Sequence, residues 1–229
     1  MAASGNALLD RLPGDDRARL APLLTRMSLG HETLVEPTAR IRYAYFPVRG
    51  LISIMAPLED GRSILVATVG SEGMAGLTLL FGSSTARHGI VSEIAGESLL
   101  LAASAFAEEV GRGGALRTEL ERYSLVLMAQ IAQTAACNAA HVMRQRLAHL
   151  LLLCHDGAQV DTFGMTQEFL AGMLGVQRPG ISHTADTLRA EGLIAYRRGT
   201  IQVLDRRALE SASCECYAVG QAEYGRILG

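Results

Sequence analysis

The chain has 229 residues, 49% of them hydrophobic, and a net charge of −2, which is enough for two small domains with sizeable cores and gives no bulk attraction to nucleic acid. Its longest apolar run, residues 147–154 with His149 inside it, is too short to span a bilayer. Residues 1–11 lack the basic-then-apolar order of a signal peptide, so no membrane partner and a cytoplasmic location are expected.

The charge is unevenly distributed. Residues 1–138 carry 12 Arg against 14 acids, residues 139–207 carry 8 against 6, and residues 208–229 carry 1 against 3. Only the middle block is net positive. Every basic residue is Arg, whose planar fork pairs bidentately with phosphates and guanine edges.

In chain order, residues 6–28 read as short helical material, with Leu8, Leu12, Leu20, Leu23 and Leu24 around a Pro13-Gly14 break. From Thr33 to Leu101 come short apolar or alternating runs: 41–46, 51–55, 63–67, 90–94 and 98–101. Asp60-Gly61, Gly70 and Gly96 supply turn signals between them, so this region is expected to be a β-sandwich or barrel. A stretch without Pro or Gly follows from Ala115 to Asp156. Leu116, Leu120, Tyr123, Leu127 and Ile131 form one helical stripe there, and Leu125, Met128 and Ala132 lie off it. A helix apolar on more than one side is buried from two directions, as between its own domain and a second copy of itself. The stripe residues are therefore candidates for dimerisation; a core helix within one chain is the alternative. A second helix carries Leu147, Leu150, Leu151 and Cys154 on one face, with a hinge near Cys137-Asn138.

Residues 165–204 carry the functional signal. Thr166 caps a helix through Leu174, Gly175 supplies a turn of positive φ, and Arg178-Pro179 opens a second helix that continues to about Glu191. Ala171 is small where the helices approach, and Ile181 is apolar where the second packs back. This is a helix-turn-helix. Residues 192–196, Arg197-Arg198-Gly199 and residues 200–204 then read as strand, tight turn and strand, a wing with a basic tip. The second helix enters the major groove by its N-terminal end, so Arg178, Ser182 and His183 are candidates for base edges. Thr166, Gln167, Arg197 and Arg198 are candidates for phosphate contacts, and Gln177, at the head of the second helix, joins the DNA-binding set.

Little else points to chemistry. Cys137, Cys154, Cys214 and Cys216 form no disulfide framework and suit a reducing compartment. Cys214-Glu215-Cys216 is too close for a structural bridge and lacks partners at zinc-site spacing. Cys137 and His141 fall at i, i+4 without a third and fourth ligand in sequence. Packing or surface placement is expected for them and for His88, His149 and His155, with no metal and no cofactor. Glu72 and Glu93 make no carboxylate pair, and neither a Ser-His-Asp pattern nor a phosphate loop occurs, so the chain is not expected to be an enzyme.

These residues together resemble the CRP/FNR family of bacterial transcription regulators over nearly the whole chain. Further matches are Tyr45-Phe-Pro-Val-Arg-Gly50, Val69-Gly-Ser-Glu-Gly-Met74, and Cys137-Asn138 with Arg146-Leu147-Ala148. The resemblance implies an α+β fold. A cyclic-nucleotide-binding-like β-roll with N-terminal helices would span 1–114, a dimerisation helix 115–138 and a winged helix-turn-helix 139–229. It implies a homodimer that binds double-stranded DNA and RNA polymerase and answers a signal in the roll through population shift; the alternative is a ligand-binding or scaffolding module whose helix-turn-helix does not bind DNA. Two departures bear on specificity. Pro179 stands where relatives commonly carry an acid that reads cytosine, so the operator does not carry over. Gly76 and Arg87 keep the spacing of the family's nucleotide-binding glycine and arginine and are the candidate effector residues, but Leu77 replaces the glutamate that holds the ribose.

Overall fold

A computed structural model of the protein describes residues 3–229. Two short helices, α1 (Ala7–Asp10) and α2 (Gly14–Leu20), lead through a 3-10 turn into strand β1 (Leu24–Leu29). Residues 24–28, expected to be helical, are thus extended. They pair antiparallel with β5 (Gly89–Ala102), because Leu24–Leu29 edges a sheet whose core is already supplied by Leu8, Leu9, Leu12 and Leu20. β2 (Glu32–Val35), β3 (Tyr43–Pro57) and β4 (Ser63–Val69) complete a five-stranded sheet of order β1-β5-β3-β4, with β2 also on β5.

The runs expected as separate strands are joined. Residues 41–46 and 51–55 fall largely within the 15-residue β3, and residues 90–94 and 98–101 lie within the 14-residue β5. The register between them shifts at Pro47/Arg49, Arg49/Leu51 and Leu51/Ile52. Such bulges bend a long strand and increase its twist, which lets the β3–β5 pair curve around the core. Gly96 sits at this bend and not in a turn; a Cβ there would overlap the Arg49 carbonyl oxygen.

α3 (Ala103–Gly111) follows the roll, and α4 (Ala115–Ala140) packs along β4 as a 26-residue helix. α5 (Met143–Ala158) starts after a break at His141–Val142, a few residues beyond the expected hinge. The C-terminal unit follows: β6 (Thr162–Gly164), α6 (Gln167–Leu174), α7 (Arg178–Ala190), β7 (Ile194–Arg197), β8 (Thr200–Val203) and α8 (Arg206–Ala212). β6 is an additional strand, and the wing sheet has the order β6-β8-β7.

α9 (Cys216–Leu228) departs from the expected domain plan. It leaves the winged unit and packs along α4, placing Leu228 at 1% exposure in the N-terminal core beside Leu8, Leu116 and Leu120. The Arg11 guanidinium donates to the Leu228 carbonyl and Arg122 to that of Ile227. A second core is composite: Leu51, Met55, Leu65 and Ile94 of the roll pack with α5, α6 and α7. The winged unit is therefore docked on the roll through an apolar contact.

Candidate nucleic-acid interface

The helix-turn-helix is built as its sequence dictates. Thr166 Oγ1 accepts from the Phe169 amide at 3.2 Å, satisfying one of the first-turn donors that an α-helix leaves unpaired. Gly175 ends α6 in the left-handed region at φ 66°, and a Cβ there would press on Ile64 of β4 at 3.1 Å. Pro179 stands in the first turn of α7, where a missing amide costs nothing. Ile181, Thr184, Ala185 and Leu188 form the buried stripe of α7, with Ile181 and Leu188 at 0% exposure. Burial of such a stripe contributes about 1.5–3 kcal/mol per large aliphatic side chain, which holds the opposite face outward.

That outward face carries Arg178, Pro179, Gly180, His183, Asp186 and Arg189, all exposed. Arg178 stands 3.9 Å from Glu168, with both side chains more than half exposed; a pair so loose and wet contributes little and leaves the guanidinium available. Arg197 and Arg198 are exposed at the wing tip. Arg198 and Gly199 have φ of 50° and 77°, the two left-handed residues of a type I′ hairpin turn. The Met165 amide donates to the Gly199 carbonyl at 2.7 Å, so the tip is tied to the segment that opens α6. Gln177 is exposed at the head of α7. Two candidates are less free than expected: the half-buried Ser182 hydroxyl donates to Gln167 Oε1 at 2.6 Å, joining α7 to α6. That bond favours a role in fixing the angle between the helices.

The effector candidates come out differently. Gly76 is a buried turn residue at φ 90°, packed under Tyr43 and Ile41. Leu77 lies partly buried against the N-terminal core, and Arg87 is exposed. A cavity lies elsewhere, between β3, β4, α4, α5, α8 and α9, with a volume of about 490 Å³. Its polar groups include Thr68, Glu72, Gln130, Asp156, Arg206 and Tyr217. Gly76 and Arg87 are not among its lining residues. Sequence reading missed it because its walls come from six elements spread over most of the chain.

The dimerisation stripe also needs correction. Leu116, Leu120, Tyr123 and Leu127 are only 3%, 0%, 2% and 7% exposed, facing the chain's own interior. Of the five expected residues only Ile131, at 40%, reaches the outside. The unpartnered face is the one that lay off the stripe: Leu125 at 55% and Met128 at 66%, continued by the exposed Ala132, Ala135 and Ala139. Positions 125, 128, 132, 135 and 139 follow the alternating spacing of a two-helix seam, and alanines there allow close approach.

Between roll and winged unit, Glu93 of β5 is 1% exposed and near enough to Cys154 of α5 to raise its thiol further, beyond what burial does. Burial pushes the Glu93 carboxyl up to about 8, with Ser53 only partly offsetting it. The folded state therefore holds a proton that the unfolded chain, at its ordinary value of 4.5, has released. Stability from this group is full below 4.5 and is lost as pH rises through about 8. Denaturant unfolding across that window should show stability falling with pH, and Glu93→Gln should flatten the slope; an unchanged slope would contradict the assignment.

Residues 145–212 match the family described as the Crp-like helix-turn-helix domain. The segment belongs to that family. The chain as a whole shares the fold of CRP/FNR regulators. FixK2 from Bradyrhizobium japonicum is similar at 17% identity over 83% of this chain and 98% of that one, with a TM-score of 0.68. A CRP-family transcriptional regulator from Thermus thermophilus is similar at 23% identity over 82% and 96%, with a TM-score of 0.66. The c-di-GMP responsive global regulator CLP of Xanthomonas campestris is similar at 17% identity over 84% and 100%, with a TM-score of 0.64. No curated protein sequence matches the chain. Within the Crp-like domain, α7 is the second helix of the helix-turn-helix and β7–β8 the hairpin that follows it. No helix among the described residues is long and apolar enough to cross a membrane.

Proposed function

We propose that the protein is a sequence-specific DNA-binding transcription regulator that works as a homodimer and takes its signal through the roll. The observation that carries this reading is the exposed face of α7, with Arg178 and His183 pointing outward beside the arginine-tipped wing. Arg178 reads a base edge, and Arg197 and Arg198 hold phosphate and set register. Two chains associate through the Leu125–Met128 face of α4, which places their recognition helices about a two-fold axis. A signal molecule occupies the cavity of about 490 Å³, a volume suited to a small ligand. Leu65 and Ala67 of β4 line that cavity, while Ile64 abuts the turn at Gly175; one strand thus touches both the input and the helix-turn-helix.

Selection of bound sequences from a random duplex pool tests the reading. The enriched sites should be inverted repeats with half-site centres about 34–36 Å apart, and binding should weaken steeply with salt. Failure to enrich any sequence, or enrichment of a single asymmetric half-site, would overturn it.

Cyclic AMP held at Gly76, Leu77 and Arg87 is not the signal. A ribose hydroxyl buried against Leu77 has no acceptor there, which costs about 1–3 kcal/mol on top of a lost charged hydrogen bond of about 1.5–3 kcal/mol. Together these weaken binding by several orders of magnitude. Calorimetry should detect no micromolar cyclic AMP binding, and DNA affinity should not change when it is added.

A further inference from the structure

Three cysteines and a histidine that are scattered in sequence meet at the hinge. Cys137 and His141 lie at the end of α4 and just beyond it, and Cys214 and Cys216 flank the start of α9. Their ligand atoms all lie within 4.8 Å of one another. Cys137 Sγ is 3.5 Å from Cys214 Sγ, and Cys216 Sγ is 3.5 Å from His141 Nδ1. A tetrahedral zinc site with bonds of about 2.3 Å to sulfur and about 2.0–2.1 Å to nitrogen has edges close to these separations, about 3.5–3.8 Å. An iron–sulfur cluster distributes its ligands over several irons and needs a wider cage.

The neighbours suit the same purpose. Glu215 stands 3.2 Å from His141 Nε2. A carboxylate there accepts a hydrogen bond from Nε2–H, which keeps the proton on Nε2 and leaves Nδ1, the atom facing the sulfurs, with a free lone pair for a metal; this is the usual outer partner of a metal-bound histidine. Gln133 Nε2 donates to Cys216 Sγ at 3.0 Å, the kind of hydrogen bond that orients a metal-bound sulfur from outside the ligand set. The three cysteines are buried together as a small cluster of their own, and His141 is half-buried. The lack of ligands at local zinc spacing, which argues against a metal in the sequence, reflects only the separation of 77 positions from Cys137 to Cys214.

We propose that Cys137, His141, Cys214 and Cys216 form a tetrahedral site for one zinc ion or a comparably soft divalent cation, clasping the hinge between α4 and the winged unit. The clasp bears on the reading head through one side chain. Asn138, next to Cys137, accepts from Arg146 at 2.8 Å, and Arg146 also donates to the Leu174 carbonyl at 2.7 Å, one residue before the turn at Gly175. Binding the cation expels the thiol protons and fixes the angle at which α5 leaves α4. DNA affinity therefore depends on metal loading, which extends the proposed regulatory reading; metal uptake itself is measured without DNA.

The full-length protein, purified under reducing conditions, should carry or take up one Zn(II) per chain. Titration with Co(II) alone should give the intense visible bands of tetrahedral thiolate coordination. Cys214→Ser and His141→Ala should lose those bands, Glu215→Gln should weaken zinc affinity about 10–100-fold, and Cys154→Ser, at a buried thiol outside the cluster, should keep them. The wild-type titration stands even if a variant fails to fold. A folded, reduced wild-type protein that binds neither metal would overturn the proposal. So would cobalt bands that persist in Cys214→Ser, or a Cys137–Cys214 disulfide as the only state in which the two sulfurs are found.

Discussion

A protein carrying Leu125→Glu together with Met128→Glu should sediment as a folded monomer and lose about 10²–10⁴-fold in affinity for its inverted repeat. The reasoning starts from exposure. At 55% and 66% exposed, these two side chains contribute little to the single chain's interior, so charges there do not unfold it. In a dimer each would contribute about 1.5–3 kcal/mol by burial, and glutamates facing their own copies across a two-fold axis would repel. Losing the link between half-sites removes the effective-concentration advantage of two-point binding, which is of that fold magnitude. The contrasting substitution is Leu120→Ala on the opposite face. Leu120 is 0% exposed in the N-terminal core, and its truncation should cost about 2–5 kcal/mol of stability. Sedimentation and unfolding of both proteins distinguish the two faces; a dimeric double glutamate variant would show that the copies meet elsewhere.

Arg178→Ala should cost about 1–3 kcal/mol in binding and relax preference at one base pair per half-site. The side chain is 66% exposed and its contact with Glu168, at 3.9 Å, is loose, so its removal should leave stability unchanged. The wing should behave differently. Arg197→Ala with Arg198→Gly should weaken binding to all sequences alike and flatten the salt dependence, because phosphate contacts carry no base information. Glycine is the right replacement at 198, where φ is 50° and a Cβ is strained. Equal loss of specificity in both variants would mean that the wing reads bases too.

How far the sequence reveals the molecule depends on the range of the forces involved. Thr166, Gly175, Pro179 and the Arg198-Gly199 turn were legible because each is determined within a few residues, by a hydrogen bond, a steric limit or a missing amide. The outward face of α4 was not. Leu127 and Leu125 are equally apolar, and only the roll and α9, which claim Leu127, decide which of them is left for a partner. Strand continuity was misread because bulges at Pro47 and Leu51 imitate turn signals, and Gly96 marks a backbone crossing. The Cys/His cluster and the cavity were hidden for a further reason: their members come from separate elements, and no local spacing rule reaches across 77 residues.

The return of α9 to the roll has a consequence for how the molecule is made. Leu228 is sealed into the same core as Leu8, and Arg11 holds its carbonyl from 217 residues away. A chain emerging from the ribosome has threaded out its roll, long helix and reading head before that core can close. Domains fold as units during synthesis, N-terminal first; here the first unit to appear is among the last to be finished. Until residues 216–228 arrive, the groove along α4 that they fill lies open on the nascent chain, and a fusion attached beyond Leu228 would disturb the core of the roll before it touched the helix-turn-helix.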